Sequence, residues 1–401
     1  MLELARRSEY LSRIGLRELS PVEEASFAFK YREELLAGAR GEPRSVAMSP
    51  TLVSPVPLDS LREGSQAVVA EIGGTNLYAA RVIVRDGRPT IVYATEKELP
   101  TVKFDSANDF YAMVADNMQP VLEQDMPEPD AIGFVYSFPG VSVHTPNGVG
   151  VLSPEKLPKD YVIPGISQRE VGGALLDMLN DKFGVDQDLP TVVINDTGAV
   201  LLSANAKIGG VVGTGYNLAM QTPIGMVSSE SGGFNFPLSH DLARRVDEQS
   251  GNPGKQLAEK QASGLYMGKQ MGMIVADTIG SMVATPTLER EATGKLLTDI
   301  LRFHANDPKV DTMKEGARML RDRSAQIVGI MIGTAMNTFP EIFLEQTHHV
   351  PIEGSFFWRV PGYEQGVKEV AERVSGKKVV FQNIKNAGRL GAGVAALSLV
   401  R

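Results

Sequence analysis

The chain has 401 residues, more than one hydrophobic core usually supports, so two domains are expected. Its net charge of −8, with no basic run, speaks against a nucleic-acid surface; an anionic ligand would have to meet backbone donors or a metal. There is no cysteine, which excludes disulfides, thiolate catalysis and cysteine-ligated zinc, and the five histidines show no metal-ligand spacing.

The opening MLELARRSEYLSRIG is charged throughout, unlike a signal peptide, and no apolar run reaches membrane-spanning length; these features read as a cytoplasmic protein without a membrane partner. Residues 1 to 42 read as helices, followed by a Pro-rich connector at 49 to 60. Strands are expected at 67 to 72, 77 to 84 and 90 to 94, a helix at 106 to 124 and a buried strand at 130 to 138. A Pro- and Gly-rich irregular loop (139 to 166) leads to a helix at 168 to 183. TVVINDTGAVLLSA (191 to 204) is a strand turning into a helix, and IGGVVGTGYNLAM (208 to 220) a strand, a turn and a strand. Residues 239 to 346 read as mostly helical, broken at SGNPG and TPTLE. HHVPIEGSFFWRV and KVVFQNI read as strands around a helix at 361 to 374, with a last helix at 390 to 400.

Three strands end in turns of small residues, GGT, GTG and EGS. Glycine lets a backbone approach a ligand closely, and successive N–H groups in such a turn form an anion nest. AEIGGTN (70 to 76) by itself reads better as a plain hairpin turn; the recurrence points instead to a nucleotide held from several sides. The dinucleotide GxGxxG spacing and the Walker A lysine are both missing.

A strand–GGTN–strand hairpin resembles the first phosphate loop of the actin, sugar kinase and Hsp70 superfamily. IGFVYSFPG (132 to 140) and VINDTGAVLLSA resemble the sugar-binding heart of hexokinases, and GTGYNLAM (213 to 220) their second phosphate loop. SESGGFNF (229 to 236) matches the family's Glu-Trp-Gly-Ala-Phe segment in form, with Ser231 in place of Trp. GKQLAEKQASGLYMGK (254 to 269), IEGSFF (352 to 357) and NAGRLGAGVAAL complete a series that keeps the family's order from roughly 30 to 400. The resemblance implies a two-domain, actin-like (ribonuclease H-like) α/β fold with a sugar and ATP cleft between a small and a large domain. The corresponding division is a helical segment and connector at 1 to 60, a small domain at 61 to 200, a large domain at 201 to 385, and a C-terminal helix (386 to 401) returning to the small domain.

The implied activity is ATP-dependent phosphorylation of a hexose, glucose first, at its 6-hydroxyl, the first step of glycolysis. Asp196 aligns with the general base, although Asp is also a good helix N-cap. Ser137, Lys156, Asn195, Asn217, Glu230 and Glu259 align with sugar ligands. The alternatives are backbone bonding for Ser137, solvated charges for Lys156 and Glu259, and a surface turn for Glu230. LSPEKLPKDY (152 to 161) departs from the family's Trp-Thr-Lys-Gly-Phe loop: Glu155 stands at the threonine and Leu157 at the glycine, with Ser153 a substitute hydroxyl. Gly73, Gly74, Thr75 and Asn76 would hold ATP phosphates on one side, Gly213, Thr214 and Gly215 on the other, with Gly354 and Ser355 near adenosine. Glu71, where the family usually has Asp, would face Mg²⁺ through water, and Arg81 reads as a strand-surface charge. Oligomeric state is not readable from the chain. Kinases for fructose, mannose or glucosamine and a hexokinase-fold sugar sensor without turnover are the competing readings. A ROK-type sugar kinase is disfavoured, because no Cys or adjacent His accompanies Glu230.

Overall fold

Gln66–Ile72 alternates strictly: Val68, Ala70 and Ile72 enter one hydrophobic core, Ala67 and Val69 another. A strand buried on both faces needs cover on both, and the surrounding sheet receives it. The computed structural model describes residues 13–73, 76–123, 126–157, 161–279, 293–304 and 307–400. It divides into two units: Ser49–Gly209, Ala219–Ser228 and Ile384–Arg401 in one; Met1–Met48, Gly210–Leu218 and Ser229–Asn383 in the other.

The first unit is built on seven strands, ordered Arg88–Glu98, Asn76–Arg85, Gln66–Ile72, Ala131–Tyr136, Thr191–Ile194, Gly148–Leu152 and Val141–Thr145. Gln66–Ile72 pairs antiparallel with Asn76–Arg85 and parallel with Ala131–Tyr136, which in turn runs parallel to Thr191–Ile194. Helices Ala107–Leu122 and Val171–Phe183 supply Phe110, Val114, Met118, Leu175 and Leu179 to the core on one face. Asp196–Ser203 and Ala387–Leu397 supply Ala199, Leu202, Ala392 and Ala396 to the other. These two helices approach so closely that a Cβ on Gly391 would lie 1.7 Å from the Ala199 carbonyl oxygen.

Several expectations change here. The stretch expected as an irregular loop at 139 to 166 holds the antiparallel hairpin Val141–Thr145 and Gly148–Leu152. Its first strand buries no residue, and the Pro and Gly residues around the hairpin read as loop signals. Arg81 is no surface charge: it is 0% exposed and donates from Nε to Gln66 Oε1 (2.9 Å) and from Nη1 to the Val121 carbonyl (3.3 Å), with Pro127 O a third acceptor. It shares the strand face of Leu77 and Ala79, beneath the helix Ala107–Leu122, and so meets that helix's last carbonyls.

In the second unit, Thr347–Glu353 runs parallel to Lys378–Gln382 on one side and to Gly210 and Val211 on the other. The 31-residue helix Pro308–Thr338 packs on Tyr363–Ser375, Gly264–Ile279 and Pro21–Ala39. Pro21–Ala39 starts with Pro at its first turn and a capping box between Ser20 and Glu23. Its Glu24 receives Gln326 Nε2 and a two-pronged contact from Arg373 at 2.6 and 2.7 Å. The strand expected to run on through SFFWRV stops at Glu353; Gly354 turns the chain at φ 126° and Ser355–Arg359 is a short helix. The TPTLE break and residues 1 to 12 lie outside the described residues.

Candidate functional site

In the first unit the strand Thr191–Ile194 delivers Asn195 and Asp196 to a helix start. Asn195, not Asp196, is the N-cap: its Oδ1 accepts from Thr197 N (3.1 Å) and Thr197 Oγ1 (2.7 Å). Asp196 is the first helical residue, half-buried, with Oδ1 held by Thr197 N at 2.8 Å. A carboxylate there sits in the favourable field of a helix N-terminus, oriented by that amide. Ser137 follows the buried strand Ala131–Tyr136 and is half-buried.

The loop after Leu152 is tied inward. Ser153 is 5% exposed, with Oγ 2.7 Å from the Tyr136 hydroxyl. Glu155 accepts from Gly165 N (3.0 Å) and Ser167 Oγ (2.6 Å), and those bonds, that from Ser167 foremost, hold its carboxyl below the usual range. Lys156 is exposed.

At the first glycine turn, Gly73 N donates to Asn76 O (2.9 Å), while Asn76 Nδ2 donates to Glu96 Oε1 (2.8 Å) and Tyr78 OH (3.2 Å). Gly74 and Thr75 lie outside the described residues. Glu71 alternates onto the face covered by Ala387–Leu397, where its Oε2 lies 3.1 Å from Arg389 Nε; both side chains are nearly buried. Arg389 stacks on Tyr78, 4.4 Å from the ring centroid, and donates from Nη2 to Asn386 Oδ1 at 2.7 Å. Sequence reasoning missed Arg389; the only signal was a base in a helix otherwise made of small apolar residues.

The second unit assembles its own set around a second glycine turn, where Gly213 N donates to Gly215 O at 3.0 Å. The first amides of the helix Gly264–Ile279 donate to the carbonyls of Gly213 (2.8 Å) and exposed Thr214 (3.3 Å). A Cβ on Gly354 would lie 2.3 Å from Val212 O and 2.7 Å from Gly213 N, so only glycine fits beside this turn. Ser355, next along, is exposed. Glu259 lies against the same place: a Cβ on Gly215 would be 3.4 Å from its Oε1, and one on Gly232 3.1 Å from its Oε2. It is therefore not a solvated helix acid. Burial first, then the Glu259 and Asp247 carboxylates, push the Tyr266 phenol up to about 12. Asn217 donates from Nδ2 to Glu230 Oε1 (3.1 Å) and accepts from Ser231 N (3.1 Å) and Leu218 N (2.8 Å). Glu230 itself has φ 55°, a strained setting for a residue with a side chain.

Two hexokinase family models match, over residues 20–206 and 274–398. The chain belongs to the hexokinase family. A hexokinase from Emericella nidulans is 23% identical, covering 92% of this chain and 86% of that protein. Hexokinase-2 of Rattus norvegicus is 28% identical over 285 residues, 63% of this chain but 30% of that protein. The chain thus spans about a third of the length of several hexokinases it matches. A structure of a Schistosoma mansoni hexokinase complexed with glucose matches at TM-score 0.79 and 19% identity, covering 99% of both chains. The fold is that of the hexokinases, an actin-like sugar kinase fold.

Hexokinases draw on a magnesium nucleotide, and the residues fit one. Gly213 and Gly354 pack backbone against backbone, a Cβ on Gly213 meeting Gly354 Cα at 3.3 Å, which fixes the turn that carries exposed Thr214. Among the described residues no group of three His, Cys, Asp or Glu could hold a metal. The donor set suits a cation carried by nucleotide oxygens and waters.

Proposed function

We propose that the chain is an ATP-dependent hexose kinase acting on the 6-hydroxyl, with glucose the first candidate and the opening of glycolysis its place. The reading is carried above all by Asp196, oriented by the Thr197 amide while Asn195 does the capping. Asp196 would accept the hydroxyl proton as that oxygen attacks phosphorus. Glu230, Glu259, Asn217, Asn195, Ser137 and Lys156 would orient the sugar; their amides and carboxylates match the donors and acceptors of a polyol. Gly73, Gly74, Thr75, Asn76, Gly213, Thr214 and Gly215 would contact phosphates, Gly354 and Ser355 the adenosine, and Glu71 the Mg²⁺ through water. Bound MgATP supplies the phosphoryl group.

The loop's departure from the family pattern, with Ser153 buried against Tyr136 and Glu155 bonded to Gly165 and Ser167, favours assaying fructose, mannose and glucosamine beside glucose. Asp196→Asn tests the central claim. Loss of a general base lowers turnover by roughly 10²–10⁴, with hexose affinity by calorimetry kept. Turnover within a few-fold of the parent refutes the assignment.

A further inference from the structure

We propose that Tyr31 is a positioning residue for Glu230, acting through a buried line of hydroxyls, and thereby sets hexose affinity; the affinity part rests on the function proposed above. Position 231 carries serine, and Ser231, Ser229 and Tyr31 are all 0% exposed. Tyr31 comes from the helix Pro21–Ala39, at helical spacing from Phe27, and both rings pack on Phe234, at 5.2 and 5.0 Å. Its hydroxyl lies 2.7 Å from Ser231 Oγ, which reaches Ser229 Oγ in turn. Ser229 Oγ donates to Leu218 O at 2.8 Å.

Each hydroxyl has one proton, so the terminal carbonyl sets the direction of the whole line. Ser229 donates to Leu218 O, Ser231 donates to Ser229, and Tyr31 donates to Ser231. Burial pushes the Tyr31 phenol up to about 12, so it keeps the proton the line requires. Two separate links connect the line to Glu230. Ser231 N donates to Asn217 Oδ1, and Asn217 Nδ2 donates to Glu230 Oε1. Glu230, at φ 55°, has a backbone that must be held from outside. The hydroxyl line holds its neighbour's side chain, beside the backbone bonds Gly233 N to Glu230 O (2.9 Å) and Phe234 N to Ser231 O (3.1 Å).

Tyr31→Phe keeps the ring packing and deletes one donor. Calorimetry with the preferred hexose and, separately, with ADP is combined with amide hydrogen exchange over residues 230 to 234. A buried hydroxyl left without its donor predicts hexose affinity weaker on the order of 5-fold, faster exchange in this segment, and unchanged ADP affinity. Ser231→Ala on top of Tyr31→Phe should add little, because the two act as one line. Unchanged exchange and hexose affinity overturn the proposal, as does equal loss of hexose and ADP affinity, which would mark general loosening. A parent that binds no hexose would instead sink the kinase reading. The exchange arm then decides the positioning role alone: faster exchange supports it, unchanged exchange overturns it.

Discussion

Replacing Glu71 with Gln leaves Arg389 without its counter-ion in a place where the two side chains are only 14% and 12% exposed. Breaking a buried pair by removing one partner costs about 3–5 kcal/mol when the survivor has no other support. Arg389 keeps Asn386 and the face of Tyr78, so the loss should fall to about 2 kcal/mol. For a unit of this size that lowers the melting temperature by roughly 4–8 °C. Arg389→Met should cost a similar amount by taking from Glu71 its guanidinium partner. The double variant, which removes both members of the pair, should recover about 1 kcal/mol relative to the sum. Thermal unfolding of the four proteins at one pH measures this. A Gln variant melting with the parent, or a strictly additive double variant, refutes the pairing argument. The same variants bear on the metal. If Glu71 faces Mg²⁺ as proposed, Glu71→Gln also raises the Mg²⁺ concentration for half-maximal rate, while Glu71→Asp is mild.

Gly354→Ala puts a Cβ 2.3 Å from the Val212 carbonyl at a φ of 126°, and should cost at least about 2 kcal/mol. Nucleotide affinity, measured with ADP, should fall with it; an alanine variant with the parent's stability and ADP affinity would show that the turn yields freely. Burial, with Arg323 and Arg244 adding to it, pushes His240 down to about 3, so the folded state holds it neutral. Between about pH 6.5 and 3 the unfolded chain binds the extra proton, so this contribution to stability is full above 6.5 and is lost as pH falls. Its Nδ1 caps Ala243 N at 3.3 Å, a task Asn can perform, so His240→Asn should flatten the decline in melting temperature from pH 6.5 to 4. An unchanged pH profile would refute the buried neutral histidine.

What could be read from the chain was local chemistry in a fixed order. Glycine turns after strands, and an acid where INDT passes from strand to helix, depend on neighbours a few residues away, and their succession led to the hexokinase family. Such features survive in one dimension because backbone reach and capping are short-range effects. The same locality misled at SFFWRV, where aromatic residues look like a strand but Gly354 redirects the backbone into a helix. Tertiary structure alone decided where the long side chains went. Arg81 lies under a helix end because strand alternation points it there, a fact invisible until the sheet's two faces are covered. Glu71 and Arg389, or Tyr31 and Ser231, lie hundreds of residues apart and meet only when packing brings their elements together. Burial then makes each pairing obligatory, since a charge or hydroxyl taken from water must find its partner wherever in the chain that partner lies.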